Sequence, residues 1–195
     1  IGSATALYVC KDSKFFKNKQ LLDYITDACE MILRTSHPDG TCDFRATNFY
    51  TPATFEIIGF CRGYKNFVQY AQMTAEELTV RNKMFETLIS LAYGCINGGF
   101  HTPNHRWVES AAMSMAYNII KAVHPEHPIL DQLLAKIEKY LAEGIDCDEY
   151  GEFTERSMGT YNPINVNAMM TMADELGKTD LLEYARRNLE LTESI

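Results

Sequence analysis

The stretch that decides the fold is HTPNHRWVESAAMSMAYNII, residues 101–120, which predicts a long and firmly packed helix. Thr102 is a suitable N-cap, and Pro103 suits the first helical position because a missing N–H costs nothing there. From Trp107 onward, apolar residues recur at helical spacing and form a wide face that is expected to be buried. The rest of the fold is expected to pack around this helix.

The first turn of the same helix is the candidate functional site, because it carries polar Asn104, His105 and Arg106, which packing does not require. A helix N-terminus presents unpaired N–H groups and the positive end of a dipole, so it favours anions and a neutral imidazole. Neutral imidazole is the form that a general base needs. Capping and packing are the alternative roles for Asn104 and His105.

Working outward, hydrophobic periodicity predicts an all-α fold of about seven helices. Their ranges are 17–34, 51–72, 74–93, 103–123, 128–142, 162 onward, and 179–191. Residues 1–16 fit no single pattern, and residues 41–51 read as a loop or a short strand. Thr74 with Glu77 forms a capping box at the start of the third helix, and Gly144 ends the fifth.

The second, fourth and sixth helices are apolar on several sides, whereas the others are amphipathic, a pattern typical of stacked hairpins with an inner and an outer layer. The inner helices begin at Pro52, Pro103 and Pro163, a loose repeat of 51 and then 60 residues. If they run in the same direction, their N-termini gather on one face. The architecture predicted in this way is an incomplete (α/α) toroid whose cleft lies at those N-termini. The loops before them hold Asn48, Tyr50, His101, Tyr161 and Asn162.

Composition favours one domain over residues 1–195, since 46% hydrophobic content can bury one sizeable core. The net charge of -8 argues against nucleic acid as a partner, although an acidic sugar could bind in a locally basic cleft. No stretch has the roughly 18 apolar residues of a membrane helix, so no membrane partner is expected. The chain opens on Ile1, which leaves room for a removed leader or a longer protein.

The cysteines show no Cys-x-x-Cys pair, so neither a zinc site nor another metal or cofactor is expected. Buried thiols are favoured over a disulfide framework, which points weakly to a reducing, cytoplasmic compartment and leaves a periplasmic one open. The six positions are 10, 29, 42, 61, 95 and 147.

One loop partly matches a calcium site, because Asp146, Asp148 and Gly151 have suitable spacing. Tyr150, however, stands where an oxygen ligand is needed, and Ser157 replaces the usual bidentate Glu. A turn is therefore the favoured interpretation.

Several runs resemble the (α/α) toroid domain of heparinase II/III-type and alginate-type polysaccharide lyases, and more closely their uncharacterised bacterial relatives. These runs are HTPNHRWVESAAMSMAYNI, LAEGIDCDEYGEFTERSMGTYNPI, LLEYARRNLELT and the earlier loop HPDGTCDFRATNFYTPAT. The resemblance covers about residues 35–192. Its best motif is Pro-Asn-His-Arg-Trp at residues 103–107, with Tyr161 downstream.

The resemblance implies β-elimination at the C4–O bond of a uronate in an acidic oligo- or polysaccharide. Asn104 would neutralise the sugar carboxylate, His105 or Tyr161 would take the C5 proton, and Tyr161 would protonate the leaving oxygen. The candidate substrate-binding residues come from the loops of the predicted rim and from two nearby arginines rather than from the resemblance: Asn48, Tyr50, His101, Arg106, Arg156 and Asn162. These lyases continue into more helices and a C-terminal β-rich domain that complete the cleft, so the chain is expected to be part of a longer protein.

Two other functions stay open at this point. A glycoside hydrolase could use a carboxylate pair, Glu109 with Glu152 or Glu155, and a non-catalytic module could bind or scaffold a glycan. For Arg106 and Arg156, the alternative to substrate contact is to hold loops by pairing with those same carboxylates.

Overall fold

A computed structural model of the chain describes residues 1–43, 50–51, 54–98 and 102–194, without the side chains of residues 50, 51, 54 and 55. The described residues form eight α-helices: α1 Gly2–Val9, α2 Lys19–Thr35, α3 Thr54–Tyr70, α4 Ala75–Asn97, α5 Pro103–Val123, α6 Ile129–Ala142, α7 Tyr161–Leu176 and α8 Leu181–Glu193. Two short strands, β1 Cys42–Asp43 and β2 Tyr50–Thr51, pair antiparallel with Cys42 opposite Thr51.

The all-α prediction is confirmed, and all seven predicted helices are present. The eighth, α1, lies in the segment whose sequence fitted no single pattern. Two boundaries were wrong by one residue: α7 begins at Tyr161 rather than at Asn162, and α8 is capped at Asp180 rather than at Thr179. As predicted, Gly144 follows the end of α6 in a left-handed conformation, and Thr74 and Glu77 form a capping box. The proposed helix start at Pro52 lies outside the described residues.

The chain divides into two compact units, Ile1–Gly98 and Gly99–Ile195. The first unit consists of two hairpins, α1–α2 and α3–α4, stacked with corresponding helices parallel. Near the start of α1, a Cβ on Gly2 would meet the Gly59 carbonyl oxygen of α3 at 2.3 Å, so this crossing needs glycine. Near its end, Tyr8 stacks on Phe67 with ring centroids 5.8 Å apart. Both contacts advance along α1 and α3 in the same direction.

Helices α2 and α4 of this unit are parallel as well. Lys19 at the start of α2 pairs with Glu76 at the start of α4 at 2.7 Å, and a hydrogen bond joins Cys29 and Thr87 further along. Helix α1 therefore packs beside α3 and parallel to it, an arrangement that the sequence pattern did not reveal.

In the second unit, α5 is the buried centre, and Trp107 and Met113 are fully enclosed. Asn104 at the start of α5 bonds to Glu155, just before α7, and Asn118 near its end donates to the carbonyl oxygen of Glu175 at the end of α7, at 2.6 Å. Helices α5 and α7 therefore run in the same direction, as the hairpin prediction requires. The incomplete (α/α) toroid and its single domain stay predictions.

The core of the described chain is apolar, and the prediction of buried cysteines is correct for Cys29, Cys61 and Cys95. Cys10 is exposed, and Cys42 and Cys147 are partly buried. No helix in the described ranges is long and apolar enough to cross a bilayer.

Candidate functional site

The start of α5 holds a chain of three polar side chains centred on Thr102. This residue is the N-cap, as predicted, but its hydroxyl does not bond to a backbone N–H of the helix. Its Oγ1 lies 2.7 Å from His105 Nδ1 and 3.1 Å from Asn104 Oδ1. The structure thus brings Asn104 and His105 together through the Thr102 hydroxyl.

The orientation of the Asn104 amide follows from its other contact. Its Nδ2 donates to Glu155 Oε1 at 2.7 Å, which leaves Oδ1 facing Thr102. Asn104 is only 2% exposed, so it is a buried group and not a rim side chain. The Asn104 amide can therefore donate to a carboxylate in this position, whether that carboxylate belongs to the protein or to a ligand.

These contacts also fix the tautomer of His105. Asn104 Oδ1 can only accept, so the single proton of the Thr102 hydroxyl is directed to it. Thr102 Oγ1 must then accept from His105 Nδ1–H. In the neutral ring, the basic lone pair therefore resides on Nε2.

His105 is half-buried, and this burial lowers the pKa of its imidazole from the ordinary value, because desolvation disfavours the charged form. The ring is therefore neutral at pH 7. Both its protonation state and its tautomer are those of a general base acting through Nε2.

The pKa of the Glu155 carboxyl is raised from its ordinary value. Burial raises the pKa of its carboxyl, the hydrogen bond from Asn104 lowers it, and the negative charge of Asp146 raises it again, with a net upward result. Its Oε2 is buried and has no hydrogen-bond partner among the described residues. Hydrogen bonds from the side chain and the backbone of Asn104 therefore offset only part of the cost of burying this carboxylate.

Arg106 is held by ion pairs and by an aromatic ring of the protein itself. Its guanidinium pairs with Glu143 at 2.7 Å and Asp146 at 2.9 Å, and it lies 4.3 Å from the centre of the Trp107 ring. Trp107 Nε1 donates to the same Asp146 oxygen at 2.5 Å. The loop after α6 is thus fastened to the first turn of α5, which is the loop-holding role that the sequence left open, with different carboxylates as partners.

Tyr161 and Asn162 open α7, at the same end of the second unit as the start of α5. Tyr161 is 38% exposed, whereas Asn162 is buried, with Nδ2 3.2 Å from Met158 Sδ. A phenol at the surface is available to a ligand, but the buried Asn162 amide is not in this conformation.

Arg156 lies in the connection between α6 and α7 and adopts a left-handed backbone conformation with φ of 49°. It borders an open concavity of about 540 Å³ whose other charged lining residues are Asp146, Asp148 and Glu152. Asp148 Oδ1 accepts from the backbone N–H groups of Tyr150 and Glu152, so the favoured turn interpretation of this loop is correct. Within the described ranges, no group of three or more His, Cys, Asp or Glu residues could hold a metal ion.

The other predicted site residues divide into two groups. Asn48 and His101 lie outside the described residues, and of Tyr50 only the backbone, in β2, is described. Glu109, one member of the alternative carboxylate pair, is fully buried and accepts a hydrogen bond from Tyr140 at 2.8 Å.

Sequence reasoning missed two roles. Thr102 was predicted only as a helix cap, although its spacing of three residues from His105 is a usable signal for a side-chain hydrogen bond. The contact of Glu155 with Asn104 spans 51 residues and has no local signal.

On α7, Asn165 is fully buried, and neither of its side-chain polar atoms has a hydrogen-bond partner among the described residues.

Comparison of the chain with protein-family models, with curated proteins and with solved structures finds no match. Membership of the lyase family therefore stays a prediction from the sequence motifs.

Proposed function

We propose that this chain carries part of the active site of a polysaccharide lyase that cleaves a uronic-acid-containing glycan by β-elimination. The observation that carries the proposal is the chain from His105 through Thr102 to Asn104, which leaves Nε2 of a neutral imidazole as the basic atom. Asn104 also bonds to a carboxylate in this structure, the group that a uronate would present.

In the proposed reaction, the Asn104 amide binds the carboxylate of the sugar and makes the C5 proton more acidic. His105 Nε2 takes that proton, the C4–O bond breaks, and its electron pair leaves with the oxygen as the C4–C5 double bond forms. Tyr161 supplies a proton to the leaving oxygen. The exposed phenol and the parallel direction of α5 and α7 support this assignment, because both helices begin at the same end of the unit.

The activity test uses the ultraviolet absorbance of the unsaturated uronate formed by elimination. Alginate, heparan-type and glucuronan-type polymers are incubated with the full-length protein, and at least one is expected to give new absorbance. Replacing His105 by Ala or Tyr161 by Phe is expected to lower turnover by about 10²-fold or more. Absence of new absorbance with every polymer contradicts the proposal.

Variants of Thr102 test the observation itself. Thr102→Val removes the hydroxyl that fixes the imidazole, so turnover is expected to fall by about tenfold, the equivalent of one lost hydrogen bond. Thr102→Ser keeps the hydroxyl and is the matched control, expected to stay within about twofold of wild type. Equal loss in both variants would assign Thr102 a packing role only.

A glycoside hydrolase is the second candidate, favoured by one observation: burial raises the pKa of the Glu155 carboxyl, as a general acid requires. The same incubations distinguish the two, because hydrolysis releases reducing ends without new absorbance. Sugar binding that survives loss of both His105 and Tyr161, with no product of either kind, would instead identify a binding module.

A further inference from the structure

The amide assigned to the substrate carboxylate is already engaged by a carboxylate of the chain. Glu155 Oε1 accepts from Asn104 Nδ2 at 2.7 Å, and Asn104 is almost completely buried. A sugar cannot contact this amide while the bond is in place. If Asn104 binds a uronate, Glu155 must leave first.

The chain on either side of Glu155 is anchored differently. On the N-terminal side, Phe153 is fully buried, and the Gly151 carbonyl oxygen accepts from Asn188 of α8 at 2.7 Å. On the C-terminal side, Arg156 is held in the left-handed region, which costs a non-glycine residue about 1 kcal/mol or more. The Arg156 N–H also donates to the Phe153 carbonyl oxygen at 2.9 Å, so the backbone around Glu155 is closed into a turn, and Glu155 can withdraw by rotation of its own side chain.

The contact between Glu155 and Asn104 also offsets only part of the cost of burying the Glu155 carboxylate. Glu155 Oε2 is buried without a hydrogen-bond partner among the described residues, and a buried unsatisfied oxygen is costly. In water, both oxygens of this carboxylate would be hydrated. Withdrawal of Glu155 loses its hydrogen bonds to the side chain and backbone of Asn104 and regains hydration of both oxygens, and a ligand carboxylate in the same place would replace those bonds.

We propose that Glu155 is an internal competitor for the Asn104 amide, so that an acidic sugar binds there only after Glu155 has withdrawn. The proposal rests on the proposed function, because it takes Asn104 as the site of the sugar carboxylate. The measured dissociation constant then equals the intrinsic constant divided by the fraction of molecules in which Glu155 is withdrawn.

The test is calorimetric titration of the full chain with D-glucuronate, and with D-glucose as the neutral control sugar. Glu155→Ala is expected to bind glucuronate about tenfold or more tightly than wild type, since the carboxylate that accepts hydrogen bonds from Asn104 no longer competes. Glu155→Gln, which keeps the shape of the side chain and still accepts a hydrogen bond, is expected to fall between the two. Glu152→Ala removes a neighbouring loop carboxylate that does not bond to Asn104 and should leave the affinity unchanged.

A second substitution identifies the atom for which Glu155 competes. Adding Asn104→Ala to Glu155→Ala is expected to abolish the gain in affinity. The proposal is overturned if Glu155→Ala and Glu155→Gln bind glucuronate no better than wild type, if the gain persists without Asn104, or if glucose binding improves equally. Elimination is read separately by absorbance with wild-type protein, so failure of the lyase function and failure of the competition are distinguishable.

Discussion

At the residue scale, the direction of the Thr102 hydroxyl proton determines the tautomer of His105. Because the Thr102 hydroxyl donates its hydrogen bond to Asn104 Oδ1, His105 must carry its own proton on Nδ1 and donate it to Thr102 Oγ1. The sequence identified Asn104 and His105 as neighbours at a helix start, since N-capping patterns are local. It could not identify Glu155 as the partner of Asn104, because that contact depends on the path of the loop before α7.

The pH dependence follows from the lowered pKa of His105. The basic form persists below the ordinary pKa of about 6.5, so elimination is expected to keep its rate at pH 6.5 and to decline only as the pH falls through the lower, folded-state value. The ring binds protons more readily when unfolded, so its contribution to stability is intact above about pH 6.5 and is lost as the pH falls through the folded value. NMR titration of the ring protons, assigned with His105→Gln, measures the pKa directly. A value at or above 6.5 would contradict this expectation.

At the element scale, the long helices were predictable because each combines periodic burial with a recognisable start. Helix α1 was not, since its eight residues are apolar on several sides and no side chain caps its N-terminus. Its position depends on distant partners in α3 and α4. The boundary errors at α7 and α8 have a local origin, because the Asn-Pro and Thr-Asp patterns each fit a helix start at more than one position.

The capping box of α4 is expected to contribute more to the free energy of unfolding than a surface cap does. Glu77 is almost fully buried and accepts from the Tyr8 hydroxyl at 2.9 Å, from the Thr74 N–H at 2.9 Å and from Lys17. Glu77→Ala removes all of these bonds at once and should lower the free energy of unfolding by about 3 kcal/mol, as expected when one partner of a buried pair is lost. Urea denaturation followed by circular dichroism measures the change.

The neighbouring Glu76 is the control for that experiment. It pairs with Lys19, but both side chains are more than half exposed, so Glu76→Ala should change stability by less than about 0.5 kcal/mol. Similar losses in both variants would mean that the box contributes only helix propensity.

The loop between α6 and α7 offers a matched pair of glycines. Gly151 has φ of 97°, and a Cβ there would lie 2.5 Å from the backbone of Arg187, whereas a Cβ on Gly159 would meet nothing within 4 Å. Gly151→Ala is therefore expected to destabilise the second unit by about 2–4 kcal/mol, and Gly159→Ala by less than about 1 kcal/mol. Fluorescence of Trp107, the single tryptophan, follows unfolding of this unit. Equal midpoints for the two variants would contradict the tight fit at Gly151.

At the scale of the whole molecule, the alternation of apolar and amphipathic helices was enough to predict stacked hairpins. The parallel direction of α5 and α7 agrees with it, whereas the parallel pair of α1 and α3 involves a helix that was not predicted. The division into two units was not predictable, because helical periodicity carries no information about which hairpins share a core.

The net charge of -8 gives a prediction for an acidic polymer. Overall repulsion slows the encounter of two anions, and raising NaCl from about 10 mM to about 150 mM shortens the screening length from about 30 Å to about 8 Å. The KM for a polyuronate is therefore expected to fall several-fold over this range. An unsaturated-product assay at each salt concentration measures it, and a short oligouronate of low charge should respond less. A KM that rises steadily with salt would show that local attraction dominates.

The stacked hairpins also determine when each part of the protein can fold during synthesis. Within the first unit, the pairing of α2 with α4 spans 57 residues, and in the second unit the bond from Asn118 to Glu175 spans 57 as well. Partners separated by this distance emerge from a ribosome within seconds of each other at ordinary translation rates of about 5–20 residues per second. Each unit can therefore complete its helix pairs soon after its last helix has emerged, and the first unit can bury its core while the second is still being made.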